Sequence, residues 1–330
     1  MLRQTRPASD VRWSQPEYLV RSEKNARENN EDSFAVFILT PAPGQDPIHL
    51  LAVADGMGGH AYGELASREA LRKMSLVLLE ELTVQPSINH LEEATPVIPA
   101  EIAKALMNAL EQANAHIKRM VKANKWGKAG STLVAAAIWG NTAIVVNLGD
   151  SPLFHYQPST RQLTKKTEDH TVAGVLLRAG LISPELALYH EGRSRLEFFV
   201  GCSELPGEEP VQQFELAPGD LLLLCSDGVS GSLLEGEMAK IFSEKQGDLS
   251  AIADGLVQAA KDKGETDNQT LILWQYPGTP PLQANPKERS PQFQETRQQE
   301  QTVRQGCLSH FFPGKQPAPK SNPEEPQPEY

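Results

Sequence analysis

Leu51–Ser67 reads LAVADGMGGHAYGELAS. The apolar run Ile48 to Ala54 reads as a buried strand that delivers a single carboxylate, Asp55. Three glycines follow within four residues (Gly56, Gly58, Gly59), and then a helix begins. A phosphate cradle does not fit this stretch, because it has neither the Lys-Ser/Thr of a P-loop nor a G-x-G-x-x-G frame. The better reading is an aspartate and a bare backbone carbonyl presented to a hard cation, since glycine lets the chain turn sharply and leaves its carbonyl accessible. His60 reads as structural or solvent-facing rather than as a ligand.

Outward from this stretch, strands and helices alternate in blocks. Phe34 to Leu39 and Ile48 to Ala54 form two expected strands across a turn marked by Pro41, Pro43 and Gly44. A helix is expected over about Gly63 to Leu82, where Ala70, Leu71, Met74, Leu78 and Leu82 recur at spacings of three and four. A proline-punctuated loop, Gln85 to Pro99, precedes a second helix over about Ala100 to Ala123. Strands are expected at Ser131 to Trp139 and Thr142 to Leu148, joined by the turn signal Gly140-Asn141. Another is expected at Leu153 to Tyr156, with short helical or irregular segments over 171–203. Asp220 to Cys225 is nearly all leucine, so it predicts a strand buried on both faces. A helix near Leu249 to Lys261 and a strand from Thr270 to Tyr276 close the pattern. Hairpins combined with paired helices predict an α+β fold, with helices packed on sheets.

The chain has 330 residues and a net charge of −11. The acidic balance argues against nucleic acid or an anionic membrane as the main partner. No apolar run reaches the length of a membrane-spanning helix, and no secretory signal is read at Met1 to Ser14. The cysteines, Cys202, Cys225 and Cys307, predict neither a disulfide framework nor a zinc site. The segment Pro277 to Tyr330 holds 11 of the 25 prolines and nine glutamines, with six basic and six acidic side chains. Such a composition predicts disorder, and it assigns the whole −11 to residues 1–276. The expected division is therefore an N-terminal extension at 1–14, a catalytic domain at 15–276 and a Pro/Gln-rich tail at 277–330.

The acids sit at strand ends. Asp55, Asp150 and Asp227 follow expected strands, while Asp267 and Glu31-Asp32 precede them. Glycine accompanies four of the five positions. One Asp-Gly pair is most simply a surface turn. Five acidic positions at strand ends point instead to one sheet edge, where loops build sites on a rigid scaffold. Clustered carboxylates would repel one another and take up protons, and a divalent cation removes that penalty. An all-oxygen donor set suits Mn²⁺ or Mg²⁺.

Seven segments, taken in order, resemble the metal-dependent serine/threonine protein phosphatases (PPM, type 2C-like) in their bacterial form. They are Arg27-Glu-Asn-Asn-Glu31-Asp32-Ser33, Val53-Ala-Asp-Gly-Met-Gly-Gly-His60, Gly130-Ser131-Thr132, Asn147-Leu-Gly-Asp150-Ser151, Thr167-Glu-Asp169-His170-Thr171, Leu224-Cys-Ser-Asp227-Gly228 and Asp267-Asn268-Gln-Thr270. The resemblance spans about residues 15 to 276. It implies a four-layer αββα sandwich, two antiparallel sheets flanked by helix pairs, with the metal site at one sheet edge and a flap at about 168–203.

The resemblance further implies a protein serine/threonine phosphatase that hydrolyses phosphoserine and phosphothreonine by a metal-bridged hydroxide. Asp55 would bridge two Mn²⁺ or Mg²⁺ ions. The Gly56 carbonyl and Glu31, with Asp32 close by, would serve one ion, and Asp227 and Asp267 the other. Arg27 would hold the phosphate, and Asp150 a third, weaker metal. Three departures bear on the third metal and the flap. Pro152 and Phe198 stand where relatives carry arginine, and Arg178 stands where many bacterial relatives carry an acid. These departures motivate an alternative, a catalytically weak phosphatase-like domain that binds phosphoproteins in a signalling complex. The implied setting is a cytoplasmic monomer acting on proteins phosphorylated by a serine/threonine kinase.

Overall fold

The leucine run is the strand around which the molecule is organised. Leu221, Leu223 and Cys225 point into one apolar layer and Leu222 and Leu224 into another, so both faces are covered, as the sequence predicts. A computed structural model describes residues 17–41, 46–58, 61–83, 98–207 and 211–278. His60, the 1–14 extension and the tail beyond Gly278 lie outside the described residues.

The elements in chain order are β1 (Tyr18–Glu23), β2 (Asp32–Leu39), β3 (Ile48–Met57), α1 (Ala61–Leu82), α2 (Pro99–Asn124), β4 (Gly130–Ser131), β5 (Leu133–Trp139) and β6 (Thr142–Leu148). They continue with β7 (Leu153–Gln157), β8 (Gln162–Lys165), α3 (Val172–Arg178), α4 (Pro184–Tyr189), β9 (Val211–Glu215), β10 (Leu221–Cys225), α5 (Asp227–Ser230), α6 (Glu235–Lys245), α7 (Leu249–Asp262) and β11 (Gln269–Gln275). One sheet runs β1-β11-β10-β7-β8 and the other β2-β3-β5-β6-β9, with β4 paired to the end of β3.

Three apolar layers separate four structural ones. Leu50, Ala52 and Leu133 of the six-stranded sheet pack on Met74 of α1 and Leu106 of α2. Leu223 and Leu273 of the five-stranded sheet pack on Phe242 of α6 and Leu256 of α7. Leu51, Val53, Leu222 and Ile272 fill the space between the sheets. At about 25 cal/mol per Å² of apolar surface removed from water, these layers supply the main driving force for folding. The expected α+β sandwich of four layers, αββα, is what forms.

Several elements depart from the sequence reading for local reasons. β1, β8 and β9 are edge strands with one partner each, so their polar composition (VQQFE in β9) shows no apolar alternation. α6 buries only Met238 and Phe242, one i, i+4 step, too short a stripe to stand out. The strand expected at Ser131 to Trp139 breaks at Thr132, where the short β4 pairs with the end of β3. β3 itself runs to Met57, so Asp55 lies inside the strand rather than after it and faces Asp32 across the β2–β3 ladder.

Candidate metal centre

A cavity of about 450 Å³ opens at one end of the sandwich, across both sheets. The six-stranded sheet contributes Glu31 before β2, Asp55 and Gly56 in β3, and Asp150 after β6. The five-stranded sheet contributes Asp227, the first residue of α5 after β10, and Asp267 before β11. Arg27 lines the same wall. All the expected site residues line it except Asp32. That carboxyl is buried beside Asp55, its partner across the β2–β3 ladder, and its Oδ2 accepts a 2.8 Å hydrogen bond from Ser226 Oγ.

Hydrogen bonds hold this floor in place. The Asp55 N–H donates to Thr132 Oγ1 at 2.9 Å, and the Thr132 N–H donates back to the Asp55 carbonyl at 2.8 Å. Thr132 Oγ1 in turn lies 2.6 Å from Ser151 Oγ. The Glu31 N–H donates to Asn268 Oδ1 at 2.8 Å, and Asn268 Nδ2 donates to the carbonyls of Lys24 and Asn29. Asn268 thereby ties the loop bearing Arg27 and Glu31 to the start of β11. Ser67 Oγ of α1 donates to the Glu31 carbonyl at 2.6 Å. Glycine is required at Gly56, where a Cβ would collide with backbone oxygens of Gly63 and Glu31, and a Cβ at Gly63 would push the Glu31 carboxylate aside.

The electrostatics are those of crowded like charges. Burial, then Asp32, Asp227, Asp150 and Asp267, hold the Asp55 carboxyl well above the usual carboxylate range. Burial, then Asp227 and Asp169, do the same to Asp150. Burial, then Asp267 and Glu265, raise Asp227 to about 6. Asp32 is raised to about 7, chiefly by burial, and its Oδ1 is buried with no hydrogen-bond partner among the described residues. The acids line the wall rather than meeting at one point: among the described residues, no three acids, histidines or cysteines stand in coordinating geometry. Like charges repel, and a neighbouring cation is drawn in, with Arg27 Nη2 2.7 Å from Asp267 Oδ2. Oxygen-only donors, mutual repulsion and an orphaned buried carboxylate oxygen together fit divalent cations.

Around Asp150 the expected third position is flanked by organised charge. Asp169 is paired with Lys165 at 2.6 Å. Arg178 reaches Glu168 at 3.2 Å and donates to the Asp169 carbonyl at 2.8 Å. The flap carries α3 and α4 and returns through backbone bridges, Thr171 to Leu196 and Ser131 to Val200. His170 anchors its base: the Gly149 N–H donates to His170 Nδ1 at 3.1 Å, and Phe198 meets the ring edge-on at 5.8 Å. Burial, then Arg178, lowers the His170 pKa to about 4, so the ring is neutral.

Sequence reasoning gave no role to Thr132, Ser226, Asn268 or Ser67. Three of these sit inside the quoted motifs, and the signal was there: polar side chains at the ends of otherwise apolar strands need buried partners. Ser67 had only its place on the first turns of α1.

Residues 21–246 match the family model described as Protein phosphatase 2C. The chain is 33% identical over 252 residues to the serine/threonine phosphatase stp of Listeria innocua, covering 75% of this chain and 90% of that protein. Among solved structures it is similar to Stp1 from Staphylococcus aureus (26% identity, 80% of this chain and 96% of that one, TM-score 0.65). It is also similar to the catalytic domain of the serine/threonine protein phosphatase PstP in complex with two manganese ions (27% identity, 79% and 97% covered, TM-score 0.59).

Proposed function

The chain belongs to the protein phosphatase 2C family, and we propose that its metal-dependent hydrolysis of phosphoserine and phosphothreonine in proteins runs in the cavity between the two sheet ends. The observation that carries this reading is the convergence of Glu31, Asp55, Asp150, Asp227 and Asp267, from five separated stretches of chain, on one wall. Mn²⁺ or Mg²⁺ is the cofactor. Glu31, Asp55, the Gly56 carbonyl, Asp227 and Asp267 would hold two ions, and Asp150 a weaker third. When bound, the ions supply Lewis acidity that activates water and neutralises charge on the phosphate.

The chain's own residues do the rest. Arg27 lies on the cavity wall with its side chain 58% exposed, able to leave Asp267 for the substrate. Its planar fork of donors matches two phosphate oxygens. Asp32 stands beside Asp55 across the β2–β3 ladder and supports it without lining the cavity. Thr132 and Asn268 orient the ligand-bearing backbone. Met57 lines the cavity on the Asp55 side, and it brings no titratable group. Protonation of the departing serine oxygen therefore falls to water.

The alternative, a phosphoprotein-binding domain without turnover, gains no support: all but one of the acids expected to hold metal line the cavity, with Asp32 buried beside them, and the matched relatives are phosphatases. The proposal extends to its setting. The domain comprises residues 15–276, and the substrates are products of a serine/threonine kinase, met by a cytoplasmic monomer. Comparing phosphoproteomes with and without the gene tests this setting. Hydrolysis of p-nitrophenyl phosphate tests the chemistry. It should require Mn²⁺ or Mg²⁺ and stop with chelator or with Asp227→Asn. A folded protein inactive with every divalent ion would overturn the reading.

A further inference from the structure

We infer that the cleft between the flap helices and the α5–α6 turn is a specificity site that receives one apolar side chain of the phosphoprotein, close in sequence to the phosphorylated residue. The inference rests on the phosphatase reading and adds what that reading leaves open, namely how a substrate is chosen.

The cleft holds about 160 Å³. Its apolar walls are Leu177 of α3, Pro184, Ala187 and Leu188 of α4, and Leu233 and Leu234 before α6, and charged side chains, Lys165, Asp169 and Glu235 among them, line the rest. Four of the six apolar residues are partly buried and Pro184 is exposed, so the apolar wall is accessible from outside. A space of roughly 150 Å³ is of the size that holds one benzene ring, so the apolar side of the cleft has room for one aromatic or branched aliphatic side chain. Arg193 of the flap donates to the Gly231 carbonyl at 3.3 Å and links the cleft's two sides.

The cleft's position selects the occupant. Asp150, Ser194 and Asp227 line both this cleft and the metal cavity, so the two spaces meet along a shared rim. A peptide whose phosphate sits over Asp227 has its neighbours passing this rim, at about 3.3–3.6 Å per extended residue. A flanking residue about one to three places away can therefore reach the cleft. The apolar character also continues outward, where Leu186 and Tyr189 of α4 stand exposed.

The test uses phosphothreonine peptides that differ at one flanking position, Leu against Ser, scanned over the three positions on each side, with Mn²⁺ present. At one position, kcat/KM should favour Leu by about tenfold, as expected for an apolar group in a fitted pocket. Ala187→Phe fills the cleft, so the ratio should fall toward one while p-nitrophenyl phosphate turnover is unchanged. Leu188→Ala enlarges the cleft and should shift the preference from Leu toward Phe. A ratio of one at every position, or a ratio that survives Ala187→Phe, overturns the inference. So does a loss of p-nitrophenyl phosphate turnover in Ala187→Phe that matches the loss on peptides, because the cleft would then be structural. Absence of p-nitrophenyl phosphate turnover in the unmodified protein is a separate failure, that of the phosphatase reading itself.

Discussion

The floor and the flap of the cavity are built on opposite principles. The floor places Asp55 inside a strand with a paired neighbour on each side, and Val53 and Ala54 beside it are fully buried. The flap offers two helices of seven and six residues, and α4 buries none of its own. Leu181 and Tyr189 there are 69% and 79% exposed. Chemistry needs atoms placed to fractions of an ångström, which a hydrogen-bonded ladder supplies. Selection among partners tolerates movement, and weakly packed segments provide it. Variants in the floor should therefore slow every substrate alike, and variants in the flap should discriminate among them.

The sharpest break in that contrast is at the acids. Asp55→Asn should lower turnover of p-nitrophenyl phosphate and phosphopeptides by about a thousandfold or more, since several kcal/mol of charge stabilisation is lost at about 1.36 kcal/mol per tenfold. Steady-state kinetics over a range of Mn²⁺ concentrations checks this. Next comes Arg27→Ala, which should cost ten- to a hundredfold in kcat/KM, about 1.5–3 kcal/mol for a charge-assisted contact, with partial recovery in Arg27→Lys.

Gly63→Ala separates packing from propensity. Alanine in a helix interior is favoured over glycine by about 1 kcal/mol. The added methyl would meanwhile displace the Glu31 carboxylate, with Mn²⁺ affinity weakened about ten- to a hundredfold. A Mn²⁺ titration of both proteins checks this, and an unchanged affinity would mean that Glu31 is not held by that contact.

The smallest effect tests the joint between floor and flap. The His170 ring titrates near 6.5 when unfolded and near 4 when folded. Between these values the unfolded chain binds more protons, so stability rises with pH. This contribution is fully present above about 6.5 and is lost as pH falls through about 4, an effect of up to about 3 kcal/mol. In His170→Asn the amide oxygen can still accept the Gly149 N–H but cannot titrate. Thermal unfolding of the unmodified protein should therefore fall more steeply from pH 6.5 to 4 than that of His170→Asn. The aspartates act equally in both proteins and cancel.

The same contrast governs what could be read from sequence. The strand Leu221–Cys225 and the acids at strand ends were legible because apolar runs and Asp-Gly pairs are local patterns. The pairing of Asp55 with Asp32 was not, because register is a tertiary property and one extra turn of ladder moved Asp55 inside β3. Asp32, which the resemblance placed close to the ligands, sits directly opposite Asp55 across the β2–β3 ladder, a buried neighbour of the acids that does not itself line the cavity. The edge strands β1, β8 and β9 left no alternation to find. The flap segment 171–203 was expected only as short helical or irregular pieces, and its cleft arises from contacts with Leu233 and Leu234 far along the chain.

The most direct test of the account is calorimetric titration of the metal-stripped protein with Mn²⁺, followed in parallel by p-nitrophenyl phosphate turnover. The account predicts two strongly bound ions per chain, turnover that rises with their occupancy, and loss of both in Asp227→Asn. Turnover undiminished in excess chelator, or Mn²⁺ binding unchanged by Asp227→Asn, would contradict it.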